Sequence, residues 1–88
     1  MYRKEAVLQG ESGLHARPAS IFVEESSQYI SEIMIIKNDQ EYNAKSIMGV
    51  LSMGGTKGDE LVIKAEGKDE KEAVEALVHL IENESKEL

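Results

Sequence analysis

The stretch ELVIKAEGKDEKEAVEALVHLI, residues 60–81, changes its apolar period part way along. Up to Glu66 the apolar residues alternate, with Leu61, Ile63 and Ala65 on one side, which is the pattern of a strand with one buried face. Gly67 stops it. Asp69, with Glu72 three residues on, has the spacing of a capping box. From there to about Glu84, Ala73, Val74, Leu77, Leu80 and Ile81 recur at helical intervals and form one apolar stripe. A strand and a helix that are each apolar on one side must cover one another, so the stretch predicts a helix lying on a sheet.

The rest of the chain adds elements of the same kind. Arg3 to Gln9 reads as a strand with Ala6 and Leu8 on one face, and residues 10–13 as a turn. Ala16 to Ser27 reads as a helix with Ala19, Phe22, Val23 and Ser26 inward and Pro18 in its first turn, where a missing N–H is harmless. Ile33-Met34-Ile35-Ile36, within Glu32 to Lys37, is a continuous apolar run and predicts a central strand. Asn38-Asp39 is a turn signal, so Glu41 to Ala44 completes a hairpin. Ser46 to Met53 is a two-turn helix with a serine N-cap, ended by Gly54-Gly55. Residues 56–59 read as a turn, and the last few residues as a fraying end. The order β-α-β-β-α-β-α predicts an α+β fold, an open-faced two-layer sandwich with a four-stranded, mostly antiparallel sheet and the helices on one face. With no linker, no repeat and one proline, residues 1–88 are read as a single domain.

Composition narrows the function. At 88 residues the chain has room for one core and none for a deep, roomy cleft. It has no cysteine and two histidines, so no metal site and no cofactor are expected. No apolar run approaches the roughly 20 residues of a membrane span, and the N-terminus lacks a signal-peptide core, so a cytoplasmic protein without membrane insertion is expected. The net charge of −7 argues against direct nucleic-acid binding. That charge is unevenly spread. Residues 12–23 carry only Arg17, and residues 42–58 only Lys45 and Lys57, with no acid in either window. Two acid-free windows in an acidic chain suit a surface that meets an anion or an acidic partner.

The first window holds Gly13-Leu14-His15-Ala16-Arg17-Pro18-Ala19. A glycine turn delivers a histidine to the start of a helix, where free N–H groups favour an anion. Arg17 can reach the same point with a charged fork. Nearby positive charge favours the neutral, nucleophilic imidazole, and the same donors screen a phosphoryl group once it is attached. The arrangement suits reversible phosphorylation of His15. A lone histidine at a helix start is ordinarily just a polar cap; the four residues together argue for more.

This segment resembles the active-centre signature of the histidine-containing phosphocarrier (HPr) family of the bacterial sugar phosphotransferase system. Lys45-Ser46-Ile47-Met48-Gly49-Val50-Leu51-Ser52 is similar to the regulatory serine segment of its Gram-positive branch, and the resemblance extends over essentially the whole chain. It implies that His15 accepts phosphoryl from enzyme I at Nδ1, as a pros-phosphohistidine, and hands it to enzyme IIA domains. Arg17 would steady the group in transit. Ser46 would be modified by an ATP-dependent kinase/phosphorylase, and the modified chain would join a catabolite control transcription factor, touching DNA only through it. By family analogy the chain is a carrier rather than a stand-alone enzyme.

The residues themselves add to this. As an N-cap, Ser46 can carry a phosphate without unfolding the short helix, so its effect would be electrostatic. Ile47, Met48 and Leu51 share one side of a helix too short to bury every side, which predicts an exposed docking patch with Lys45, Gly49 and Ser52, extended by Ala16 and Ser20. Glu24 and Glu25 depart from the neutral or basic residues common there in the family, which bears on affinity for an acidic partner. His79 falls opposite the last helix's apolar stripe and is read as an exposed residue without a role. A monomer is expected. The alternatives are a regulatory-only paralogue, whose relatives lack the histidine, a nitrogen-branch paralogue, disfavoured by Ser46-Ile47-Met48-Gly49, and an unrelated two-layer binding module.

Overall fold

The computed structural model describes residues 1–8, 16–54 and 58–84, without the side chains of residues 16–18, 83 and 84. Within these, β1 (Tyr2–Val7), α1 (Ala16–Ser26), β2 (Glu32–Lys37), β3 (Gln40–Asn43), α2 (Ile47–Met53), β4 (Glu60–Glu66) and α3 (Glu70–His79) follow in order, and α3 runs on into a π-helical turn, Leu80–Glu84. The predicted turn at 10–13, the first half of that at 56–59 and the chain end lie outside the described residues.

The sheet order is β1-β4-β2-β3 and every pairing is antiparallel. Register follows from which side chains need burial. Tyr2, Ala65 and Ile33 lie in one cross-strand row, and Lys4, Ile63, Ile35 and Tyr42 in another. Ile33, Ile35, Leu61, Ile63 and Ala65 are buried, together with Ala19 and Phe22 of α1 and Ala73, Val74 and Leu77 of α3. Met34 and Ile36 point to the other face and are half-buried, which explains why β2 reads as a continuous apolar run. Asn38 and Asp39 take φ of 53° and 67°, so a two-residue loop joins Lys37 to Gln40. That is the primed turn a tight hairpin requires.

The start of α3 departs from the expected capping box. Asp69 makes no side-chain cap. Its carboxylate instead accepts from the backbone N–H groups of Ile30 and Ser31, each at 3.0 Å, and from the Ser31 hydroxyl. The α1–β2 loop offers three clustered donors, and one carboxylate with two oxygens serves them all. A neighbouring glycine makes this possible: a Cβ on Gly67 would lie 2.5 Å from Ser31 Oγ. The Gly67 N–H donates to Glu70 Oε1 at 3.1 Å. Further along α3, Glu75 accepts from the Tyr2 hydroxyl at 2.6 Å and from Lys4 Nζ at 3.0 Å, so the helix is tied to β1. Those two donors, the hydroxyl foremost, hold the Glu75 carboxyl below the usual carboxylate range.

Two outcomes test this description. Phe22 is 1 % exposed, and Phe22→Ala is expected to cost about 3–5 kcal/mol in denaturant unfolding. The Asp69 carboxyl is held below its ordinary value of 3.8, first by the Ser31 hydroxyl. Its contribution is therefore present at neutral pH and is lost as the pH falls through that lowered folded-state value. Asp69→Asn is expected to lower Tm at pH 7, with the gap to wild type closing at acid pH.

Candidate functional site

The short helix α2 and its flanks gather most of the candidate residues that the structure describes. Ser46 sits at its N-cap with φ −112° and ψ 121°, and its hydroxyl accepts from the Gly49 N–H at 3.1 Å. Its own N–H donates to the Asn43 carbonyl at 3.2 Å and its carbonyl accepts from Val50 at 3.0 Å. Gly49 is what lets α2 sit so close to the end of β3, because a Cβ there would lie 3.0 Å from the Asn43 carbonyl oxygen. At the other end Gly54 is left-handed, with its N–H directed to Val50. Lys37 Nζ donates to the Met53 carbonyl at 3.2 Å while pairing with Asp59 at 3.2 Å. A cation at a helix C-terminus is favourably placed.

Seven residues make two turns, and only one side of them meets the core. Val50 and Met53 are buried. Ile47, Met48 and Leu51 are 37 %, 69 % and 39 % exposed. A compact set of exposed apolar side chains on a small domain marks an interaction surface more often than a packing defect. Ser52 is exposed on the same helix, and Ser20 is exposed on α1, with which α2 is in contact. Neither helix carries an acid in its first turn.

The remaining candidates divide into two groups. His15 lies outside the described residues. Ala16 and Arg17 are placed by their backbone in the first turn of α1, and their side chains lie outside the description. Lys45 is half-buried. Its ammonium donates to the Tyr29 carbonyl at 2.6 Å, and its backbone N–H donates to Asn43 Oδ1 at 2.9 Å. Glu24 is exposed, and Glu25 accepts from the Tyr29 hydroxyl at 3.1 Å. Burial, then that carboxylate, raises the Tyr29 hydroxyl above its ordinary value. His79 is exposed on the last turn of α3.

Among the described residues no group of three or more His, Cys, Asp or Glu side chains could hold a metal ion, and no helix is long and apolar enough to cross a membrane. The depressions along α3 and on the uncovered face of the sheet contain none of the candidate residues.

The cap bond gives a direct measurement. Ser46→Ala is expected to cost about 1 kcal/mol of stability, and Ser46→Asp distinctly less because a carboxylate can take the same Gly49 donor. Denaturant unfolding of the three chains checks it.

Comparison with known proteins bears on the same segment. The family described as PTS-HPr, PTS HPr component phosphorylation site, matches residues 2–83. The HPr-like protein Crh of Halalkalibacterium halodurans is 44 % identical over 84 residues, covering 96 % of this chain and 100 % of the relative. The crystal structure of HPr from Thermoanaerobacter tengcongensis is 45 % identical, with a TM-score of 0.90, over 98 % of this chain and 94 % of that one. Crh of Bacillus subtilis, described as a catabolite repression protein and a swapped dimer, is 36 % identical with a TM-score of 0.75, over 97 % of each chain. The chain belongs to the HPr family, a family of phosphotransferase-system phosphocarriers rather than catalytic enzymes.

Proposed function

We propose that this chain is a regulatory phosphoprotein of the HPr family, modified on Ser46 and docking its partners through Ile47, Met48 and Leu51, with Ser20, Gly49 and Ser52 at the margins. The observation that carries the reading is the position of Ser46, which caps a helix whose outward side is apolar and free of acids. An ATP-dependent kinase/phosphorylase would transfer the γ-phosphoryl group to Ser46 Oγ, releasing the hydroxyl proton and ADP. The product carries nearly two negative charges at the edge of a neutral patch. Partners that fit the unmodified patch are repelled, and a partner that presents cations is recruited. A catabolite control transcription factor is the recruited partner in this reading, which the catabolite repression role described for the Bacillus subtilis relative supports.

A second reading rests on a separate observation. His15-Ala16-Arg17-Pro18 stands at the start of α1 in the sequence. This supports a phosphocarrier that also takes phosphoryl from enzyme I on His15 and passes it to enzyme IIA domains, with Arg17 steadying the group. The two readings are compatible, and a regulatory-only protein would lack the second activity. The working unit in both is a cytoplasmic monomer of one domain, and the swapped dimer is a property of the Bacillus relative.

Two labelling reactions test them. With kinase and ATP, the wild-type chain is expected to take one phosphate and Ser46→Ala none; a label that survives Ser46→Ala overturns the first reading. With enzyme I and phosphoenolpyruvate, an acid-labile phosphate is expected on the wild type and none on His15→Ala; an unlabelled wild type leaves the regulatory-only protein. Met48→Ala is expected to change stability by no more than about 0.5 kcal/mol while raising the KM of the kinase for this chain.

A further inference from the structure

We propose that Lys45 is a positioning residue: its ammonium ties the segment leading into α2 to the turn that follows α1 and so sets how the two halves of the docking surface stand relative to one another. This rests on the docking reading above and deepens it.

The contact is specific. Lys45 Nζ reaches across 16 positions to the Tyr29 carbonyl at 2.6 Å, and the side chain is half-buried along the way. Tyr29 lies in the turn that follows α1, three residues past Ser26. Its N–H donates to the Ser26 carbonyl at 3.3 Å and its hydroxyl to Glu25, one helical turn back. The last turn of α1 has no basic residue of its own, and Lys45 brings a cation to the turn that follows it. On the other side of the tie, the Lys45 N–H is fixed by Asn43 Oδ1, and the next residue is Ser46 itself, fixed by the Asn43 carbonyl. One charged hydrogen bond therefore joins the regulatory serine's turn to the helix that begins beside His15.

The geometry also separates this role from a direct partner contact. An ammonium directed at a carbonyl of its own chain is not held out for an acidic partner. Lys37 makes the matching tie at the far end of α2, to the Met53 carbonyl. With both in place, a seven-residue helix that buries two side chains has a fixed orientation, and its exposed Met48 has a defined position.

Two variants of the full-length chain test the proposal. Lys45→Met keeps the aliphatic stem and removes the donor; Lys45→Arg keeps a charged donor. Backbone hydrogen exchange in α2 and at residues 29–31 is expected to accelerate on the order of tenfold in Lys45→Met, with Lys45→Arg close to wild type. Unchanged exchange in Lys45→Met overturns the tie. In phosphorylation of Ser46 by the kinase, Lys45→Met is expected to raise KM severalfold, leave kcat unaltered and keep the wild-type salt dependence of KM. A flattened salt dependence shows that Lys45 touches the partner itself and overturns the positioning role. Accelerated exchange without Ser46 labelling in any variant upholds the tie and overturns only the docking reading on which its use depends.

Discussion

Everything in this molecule depends on one sheet having one covered face. The cross-strand rows through Ile33, Ile35, Ile63 and Ala65 supply the surface on which α1 and α3 lie, and the buried side chains of both helices meet it there. A slip of one residue in β4 would turn Leu61, Ile63 and Ala65 to the uncovered side and bring Val62 and Lys64 beneath the helices. The register is therefore enforced by burial at its centre, and the polar ties at the rim, Glu75 with Tyr2 and Lys4 among them, hold helix to strand once it is set.

The short helix stands outside that scheme, and its chemistry follows from the difference. It has too little surface against the core to be held by burial alone. Polar contacts hold it instead: the Ser46 cap, the Asn43 carbonyl, the Lys45 tie and the Lys37 bond to Met53. Because these contacts are made by backbone and long cations, its outward side is free to be apolar. A helix fastened at its ends can display Met48 to solvent without that residue taking part in folding. A phosphate at Ser46, as proposed, would change charge at the margin of a surface whose shape is set elsewhere.

Much of this was legible in the residues. The alternation in β4 and the stripe on α3 each have a single periodic solution, and the short, largely β-branched run in β2 has the length and residues of a strand, so the layers could be read directly, and the glycine and serine flanking α2 marked both its ends. What could not be read were contacts between parts distant in sequence. Asp69 has the spacing of a cap, yet its carboxylate serves Ile30 and Ser31, because no local pattern announces that a loop 38 residues away needs donors satisfied. Lys45 looks like a surface cation for the same reason. The π-helical turn at Leu80–Glu84 likewise has no counterpart in the apolar stripe, which continues through Leu80 and Ile81 whatever the winding. His15 and Arg17, the residues with the clearest chemical signature, were legible only as a motif.

That turn reaches back to the opposite end of the chain. Glu82 Oε2 accepts from the Val7 N–H at 3.2 Å, and β1 is the outermost strand on its side of the sheet. An outermost strand ordinarily presents a ladder of unmet amides, the natural place for a foreign strand to add itself. Here the amide at one end of that ladder, Val7, is already taken by a carboxylate, so a strand adding along β1 at that end would have to evict a charged side chain.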